Sequence, residues 1–454
     1  MMGPGGPGHD RNGQIRLAIF VRARVAAVTA RASDVPIDVV PIDVVPIEVV
    51  GVGAAGLGTL DTDARRLVDE ADVVVGGDRH LDMLGERPGV RLVPWPSPLL
   101  PGLRALLGEV SGRRVVVLAS GDPHVSGIGS TLVRELGTDA VRVHPAVSSV
   151  ALARARMGWA AEDSEVVTLV GRDVDRLRRD LAPRARLVVL TSGEDAPSRV
   201  AALLVDEGYA ASHVTVLGDL GSPAESRTDG VAASWDDRPA PRLHLVCVEC
   251  SSGPATRAPS LVPGLPDTAY ENDGQLTKRV VRAAALAHLA PRPGDVMWDL
   301  GAGAGSVGIE FARQHPRNEV HAVERHPARA ERVRRNARAL GVPGLRVVEA
   351  WSADAVAALP RPDAVFVGGG ATADLLDACW TALAPGGRLV VHGVTVETEL
   401  VLHDARRRLG GSMSRIAVEE LDDIGSLHGW KPARSIVQWS VEKAVLQEDS
   451  EFDA

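Results

Sequence analysis

Three stretches of this chain place small and acidic residues where chemistry on a bound molecule could be done. In the first, Asp299 leads into Gly301, Gly303 and Gly305, after the apolar run Val296 to Trp298, and Glu324 closes the next apolar run about 20 residues on. A glycine-rich turn between strand and helix lets a ligand approach the backbone and meet unpaired N–H groups. Glu324 stands where a carboxylate accepts hydrogen bonds from both ribose hydroxyls, and Asp299 can orient the loop or meet an ammonium group. The second stretch, Gly51-Val52-Gly53-Ala54-Ala55-Gly56, spells a dinucleotide fingerprint, and Asp78 follows the next strand. The third is a pair of turns, Ser120-Gly121-Asp122-Pro123 and Pro145-Ala146-Val147-Ser148-Ser149, each following an apolar run. No Ser/His/Asp or Cys/His constellation is evident. His392, at the end of a late strand, is the one candidate base, with a structural histidine the stronger reading.

The elements that must position these residues follow from pattern. β-branched runs recur at 47–50, 73–75, 115–118, 166–170, 187–190, 214–217 and 243–248, with helical stretches such as 64–70 and 198–207 among them. Continuous apolar strands separated by helices predict an α/β fold with both sheet faces covered. Residues 251–266, rich in Ser, Gly, Pro and Thr, break the rhythm and read as a linker. A helix over 275–289 and strands at 296–300, 319–323, 345–348, 364–367 and 388–392 then predict a doubly wound sheet with its glycine loop after the first strand. The expected organisation is an extension over 1–46, one α/β domain over 47–250, a second over 267–443 and an acidic tail over 444–454. The extension repeats Val-Pro-Ile-Asp-Val at 35–39 and 40–44 and Val-Pro-Ile-Glu-Val at 45–49. Recurrent proline keeps the earlier copies out of a central strand.

At 454 residues the chain suits two or three domains, and 3% aromatic content leaves Val, Leu, Ala and Ile to build the cores. The formal net charge of -9 argues against a broad nucleic-acid footprint. Cys247, Cys250 and Cys379 imply no disulfide framework, which points to a reducing cytoplasm. Cys247 and Cys250 form a C-x-x-C without a second ligand pair, so they read as buried strand residues and no metal is expected. No apolar run reaches the roughly 20 residues of a membrane span, and none of the first 30 residues makes a convincing secretory signal.

The G-x-G-x-G spacing, with Leu383-Ala384-Pro385-Gly386-Gly387-Arg388-Leu389 as a helix-to-strand turn, resembles Rossmann-like class I methyltransferases. Asp273-Gly274-Gln275-Leu276-Thr277-Lys278, Asp299 to Ser306 and Phe366-Val367-Gly368-Gly369-Gly370 are similar to the corrin-ring C15-methyltransferase and decarboxylase family. That resemblance implies that Thr277, Gly301, Ala302, Gly303, Ala304, Gly305, Glu324, Trp351 and Ser352 line an S-adenosylmethionine site. Ala350-Trp351-Ser352 departs from the family's Gly-x-Ala, and Trp351 offers an indole face to the adenine. Gly368 to Gly370 would leave an open wall for a wide, flat ring. The Ser120 and Pro145 turns resemble the tetrapyrrole methylase superfamily, in its precorrin C5-methyltransferase branch, whose fold of two α/β subdomains is not Rossmann. This implies that Asp122, Val125, Ser148 and Ser149 contact a second S-adenosylmethionine, with Ala54 in the first loop on the side of the substrate. Ala146 stands where the motif usually has glycine.

The order of the two halves resembles the fused, decarboxylating precorrin-6Y C5,15-methyltransferase family over nearly all of 47–443. It implies a cytoplasmic, cobalamin-biosynthetic enzyme with one S-adenosylmethionine per domain and a precorrin substrate, no nucleic-acid or membrane partner, and a tendency to self-associate. Arg79, Arg172, Arg279 and Arg282 form a group suited to the substrate's carboxylates. Three rivals remain on the sequence: a two-domain methyltransferase of another tetrapyrrole or a small metabolite, a nicotinamide-dependent oxidoreductase using the Gly51 loop, and a non-enzymatic tetrapyrrole carrier.

Overall fold

The valine runs build three sheets. In the computed structural model, which describes residues 45–253, 256 and 258–445, the first sheet holds β1 (Ile47–Val52), β2 (Val73–Gly76), β3 (Arg91–Pro94), β4 (Val115–Ser120) and β5 (Val141–His144). Their order is β3-β2-β4-β1-β5, and every pairing is parallel. Parallel strands need both faces covered, and Val73 to Val75 and Val115 to Val117 are accordingly buried throughout. Helices such as Thr62–Asp69, capped by Asp61 Oδ1 accepting from Ala64 N at 2.8 Å, supply the cover.

The second sheet contains β6 (Glu165–Thr168), β7 (Arg186–Leu190), β8 (His213–Gly218), β9 (Ser226–Val231) and β10 (His244–Glu249), in the order β6-β7-β10-β8-β9. Only β6 and β7 run parallel. β3 and β9 escape a reading by apolar pattern. β9 is exposed along Ser226 to Asp229, and β3 holds only partly buried side chains, so neither writes a hydrophobic run.

The third sheet combines β11 (Val296–Leu300), β12 (Glu319–Val323), β13 (Arg346–Val348), β14 (Ala364–Val367), β15 (Arg388–Gly393) and β16 (Ser412–Ile416) with a last strand, β19 (Ile436–Glu442). Its order is β13-β12-β11-β14-β15-β19-β16. The first five strands are parallel, and β19 inserts antiparallel between β15 and β16. Alternate residues feed opposite layers: Met297, Phe366 and Val390 join one core cluster, Trp298, Val365 and Val391 the other. β17 (Glu419–Ile424) and β18 (Leu427–Pro432) form a separate exposed hairpin.

The helix expected from 275 begins at Arg279. Residues 273–278 instead form a loop in which Asp273 Oδ1 accepts from Gln275 N at 3.2 Å. The stretch read as a linker is tied down in its second half. Glu310 accepts from Gly264 N at 2.6 Å, Leu265 N at 3.0 Å, the Tyr270 hydroxyl at 2.9 Å and Arg282 Nε at 2.6 Å, all buried. The two α/β halves meet where Arg179 Nε donates to Arg313 O at 2.9 Å and Arg338 pairs with Asp173 at 2.9 Å. A Cβ on Gly341 would collide with the Arg179 backbone. Residues 1–44 of the extension, with the first two repeat copies, and the tail beyond Val445 lie outside the described residues. Among the described residues no helix is long and apolar enough to cross a membrane.

Candidate active site

In the third sheet the chain passes from the edge at β13 to β14, on the other side of β11. The crevice beyond the carboxyl ends of β11 and β14 is therefore a topological switch point, where open α/β sheets bind ligands. Both glycine loops of this half open there. Gly301 has φ +71°, and a Cβ would sit 3.1 Å from Gly369 O. Gly303 has φ +59°, and a Cβ would meet Gln275 O at 2.9 Å, so the 273–278 loop carrying Thr277 lies against the glycine turn. Gly305, also left-handed, caps the helix Ser306–Gln314. Ala302 N donates to Val323 O at 3.1 Å, and Ala304 is buried.

Two carboxylates face this turn. Glu324 is buried, its Oε2 accepting from Gly303 N at 2.9 Å and its Oε1 from His326 N at 3.0 Å. Each oxygen retains lone-pair capacity for a ribose hydroxyl. Asp299 Oδ2 accepts from Gly308 N at 2.9 Å, while Oδ1 is buried without a partner. Burial pushes the Asp299 carboxyl up to about 7, with Glu324 adding to the rise. An orphaned buried carboxylate oxygen beside a glycine cradle fits the ammonium end of S-adenosylmethionine. Trp351 is 61% exposed, with the Arg325 guanidinium 4.0 Å from its ring centroid, and Ser352 opens the short helix Ser352–Ala355. Gly368 packs against Phe366 and Gly301 O, whereas Gly369 and Gly370 face open space.

His392 is buried, stacks edge-on against Phe366 with centroids 4.9 Å apart, and lies 2.9 Å from Gln438 Oε1. Burial lowers its pKa to about 4. It is a buried ring held between Phe366 and Gln438, which fits the structural reading. The arginine group divides. Arg282 is wholly buried in the Glu310 cluster and also donates to Thr277 O, and Arg279 Nε donates to Gly264 O at 2.7 Å. Both are occupied holding the 264–277 segment, and Arg282 drops out of the group proposed for the substrate's carboxylates, since a fully enclosed guanidinium has no face to offer. Arg172 is exposed.

In the first half the three motif turns converge at the strand ends. A Cβ on Gly51 would run into Gly121 O and come within 2.7 Å of Ala146 N. Gly121 N donates to Val52 O at 2.9 Å, and Ala146 N donates to Gly121 O at 3.2 Å, so alanine keeps the turn's backbone contact. This geometry tells against a dinucleotide site at Gly51. The glycine is needed for the neighbouring turn, Gly53 N is taken by Thr59 Oγ1 at 3.2 Å, and a 3-10 turn over Gly56–Thr59 intervenes before the helix at Thr62. A pyrophosphate would need those N–H groups at a helix start.

A cleft with an empty volume of about 690 Å³ lies between these turns and the second sheet. Ala54 and Ser149 line it, with Val52, Ser120 and Gly121 on one wall and Thr191, Leu217 and Leu245 on the other. Ser148 caps the helix Ser149–Met157 through Ala151 N at 3.1 Å. Asp122 Oδ1 accepts from His124 N at 2.8 Å, and Val125 packs on the core cluster that contains Trp159 and Leu217. Asp122, Val125 and Ser148 themselves are not among the residues that line the cleft. Of the arginine group Arg79 lines the cleft, and Arg242, which no motif marked, lines it from just ahead of β10. Cys247 and Cys250 are buried strand residues whose thiols burial pushes up to about 12.

Comparison with known proteins matches residues 46–235 to the tetrapyrrole (corrin/porphyrin) methylases and residues 268–443 to the precorrin methyltransferase domain. A precorrin-6Y C(5,15)-methyltransferase [decarboxylating] from Sinorhizobium sp is 43% identical over 84% of this chain and 92% of its own length. The protein of the same name from Mycobacterium tuberculosis (strain CDC 1551 / Oshkosh) is 39% identical over 82% of this chain and 93% of its own. Among solved structures, the C-terminal domain of precorrin-6Y C5,15-methyltransferase from Rhodobacter capsulatus aligns in full with 40% of this chain, at 39% identity and a TM-score of 0.39.

Proposed function

The chain belongs to the family of the decarboxylating precorrin-6Y C5,15-methyltransferases, and from that membership we propose its reaction and its division of labour. It methylates precorrin-6Y at C5 and C15 and removes CO2 from the C12 acetate, giving precorrin-8X in cobalamin biosynthesis. The first half, over 47–250, carries the C5 transfer, and the second, over 267–443, carries the C15 transfer with decarboxylation. One S-adenosylmethionine serves each half. The cytoplasm is the proposed location, and self-association the proposed state.

The observation that carries this reading is the pair of unlike cradles in one chain. One is a switch-point crevice with an orphaned Asp299 oxygen and Glu324 on its glycine turn. The other is a cleft roofed by a second sheet, where Gly51, Gly121 and Ala146 cross backbone to backbone. S-adenosylmethionine supplies an electrophilic methyl group when bound. The electron-rich bridging carbons of the reduced macrocycle are nucleophiles in their own right, so these residues align, hold and exclude water. Glu324 takes the ribose, Asp299 the ammonium, and Trp351 and Ser352 the adenine edge. Gly369 and Gly370 leave room for the ring. Ser148, Ser149, Asp122, Val125 and Ala54 frame the donor of the first half. Decarboxylation leaves an electron pair that the conjugated macrocycle absorbs, which needs no strong base from the protein.

The test is incubation of the whole chain with precorrin-6Y and S-adenosylmethionine, read by mass spectrometry. Gain of two methyl groups with loss of one CO2 is expected. Unchanged substrate, or binding of a nicotinamide cofactor with none of S-adenosylmethionine, would refute the proposal.

A further inference from the structure

The cleft of the first half carries charge of one sign. Its lining includes two guanidinium groups, Arg79 from the motif side and Arg242 from the bend that precedes β10 of the facing sheet, and no carboxylate. Asp78, Asp122 and Asp219 each adjoin a lining residue in sequence, and Asp122 is turned to His124 N. Arg79 is held rather than loose. Its Nη2 donates to Ser120 Oγ at 2.8 Å and to His80 Nε2 at 2.7 Å, and His80 in turn stands 3.2 Å from Ser120 Oγ. His80 is neutral, since burial and the adjacent guanidinium bring its pKa down to about 4. It therefore accepts without neutralising Arg79. The other terminus, Nη1, is buried with no hydrogen-bond partner. Among the described residues neither Arg79 nor Arg242 has a carboxylate at ion-pairing distance, and only Asp219 acts on Arg79 through space.

A buried N–H group without a partner costs free energy that a ligand acceptor recovers. Two guanidinium groups, Arg79 held in place and Arg242 free on the surface, with no carboxylate among the lining residues, disfavour a net cation beside them, and S-adenosylmethionine is one, with its sulfonium and ammonium outweighing a single carboxylate. They attract a polyanion. We propose that Arg79, preset by Ser120 and His80, and Arg242 opposite form a pincer for one carboxylate side chain of the tetrapyrrole, and so fix which bridging carbon meets the methyl group in this cleft. The inference rests on the assignment of the cleft to C5 methylation and adds the device that selects the position. Ser120 belongs to the same turn as Gly121 and Asp122, so the anchor is tied to the donor's own cradle. An anchor and a methyl donor fixed to one turn hold the macrocycle in one register.

The test uses the whole chain with Arg79→Gln, Arg79→Lys and Arg242→Gln. Calorimetry gives S-adenosylmethionine affinity, and product mass at graded precorrin-6Y concentrations gives the separate methylations. Loss of a charge-assisted hydrogen bond predicts a rise of roughly 10- to 100-fold in KM for the C5 transfer in Arg79→Gln. Singly methylated, decarboxylated product then accumulates at low substrate, donor affinity stays within about twofold, and Arg79→Lys recovers part of the loss. Weakened donor binding with unchanged KM would assign the carboxylate to S-adenosylmethionine and overturn the proposal, as would no change in either. If Arg79→Gln fails to fold, the exposed Arg242→Gln carries the test, and an unchanged KM there overturns the pincer. Wild-type protein that gains no methyl group refutes the C5,15 reading itself, which is a different result.

Discussion

Replacing Asp299 by asparagine tests whether the orphaned carboxylate oxygen is the donor's anchor. The Asp299 carboxyl rises from 3.8 to about 7, through burial first and Glu324 after it. At 1.36 kcal/mol per pH unit, holding the charge in the empty site costs at most about 4 kcal/mol. The sign follows from proton binding. Between pH 3.8 and 7 the folded chain keeps a proton that the unfolded chain has released, so the stability of the empty protein falls as pH rises through that window. Asp299→Asn, neutral at every pH, removes that decline and melts higher than wild type at pH 8. Donor binding runs the opposite way. The ammonium group needs the ionised form, roughly a tenth of molecules at pH 6 and nine tenths at pH 8, so affinity at this site strengthens about tenfold across that range. The complex forms with release of a proton, visible in calorimetry as heat that depends on the buffer. The variant binds weakly at this site at both pH values. Affinity that ignores pH in wild type, or an equal pH slope in Asp299→Asn, would refute the assignment.

Gly51→Ala should lower thermal stability by about 3 kcal/mol or more, because its Cβ has only the backbone of Gly121 and Ala146 to displace, whereas Gly369→Ala, with open space around it, should stay within about 0.5 kcal/mol in the same melts. Equal melts for the two would contradict the packing. Glu310→Gln removes the buried partner of Arg282 and leaves it only the partly exposed Asp267 at 3.3 Å, and should cost about 3 kcal/mol in denaturation of the second half; a neutral result would show that the cluster is not closed. With thiols pushed up to about 12, Cys247, Cys250 and Cys379 should resist iodoacetamide at pH 8 until the protein unfolds, as counted by mass. Labelling of Cys250 in folded protein at the unfolded rate would refute its burial.

The glycine turns were legible in the sequence because close backbone approach leaves no residue but glycine. Gly51, Gly301 and Gly303 each stand where a Cβ has no room. The parallel strands were legible for a similar reason, since burial on both faces writes an unbroken valine run. The fate of the arginines was not legible. Arg79 and Arg282 look alike in the chain, yet one opens into a cleft and the other is sealed around Glu310, because partners 17 to 41 residues away decide it. Arg242 gave no signal, as it follows Pro241 outside any motif. The hairpin of β17 and β18 has strands exposed almost throughout, so no alternation announces it.

The Glu310 cluster has a practical bearing on where the second half begins. Sequence similarity to the precorrin methyltransferase domain starts at residue 268. Yet Gly264 and Leu265 donate their backbone N–H groups to Glu310, and Pro259 O receives Arg313 Nη2 at 2.9 Å. A fragment cut at the similarity boundary would expose a half-empty ring of donors around a charged carboxylate and strip the cap from Arg313. One cut ahead of Pro259 would keep both. The peptide preceding the second half is therefore part of its core, and expression boundaries drawn from sequence likeness alone would fall inside that core.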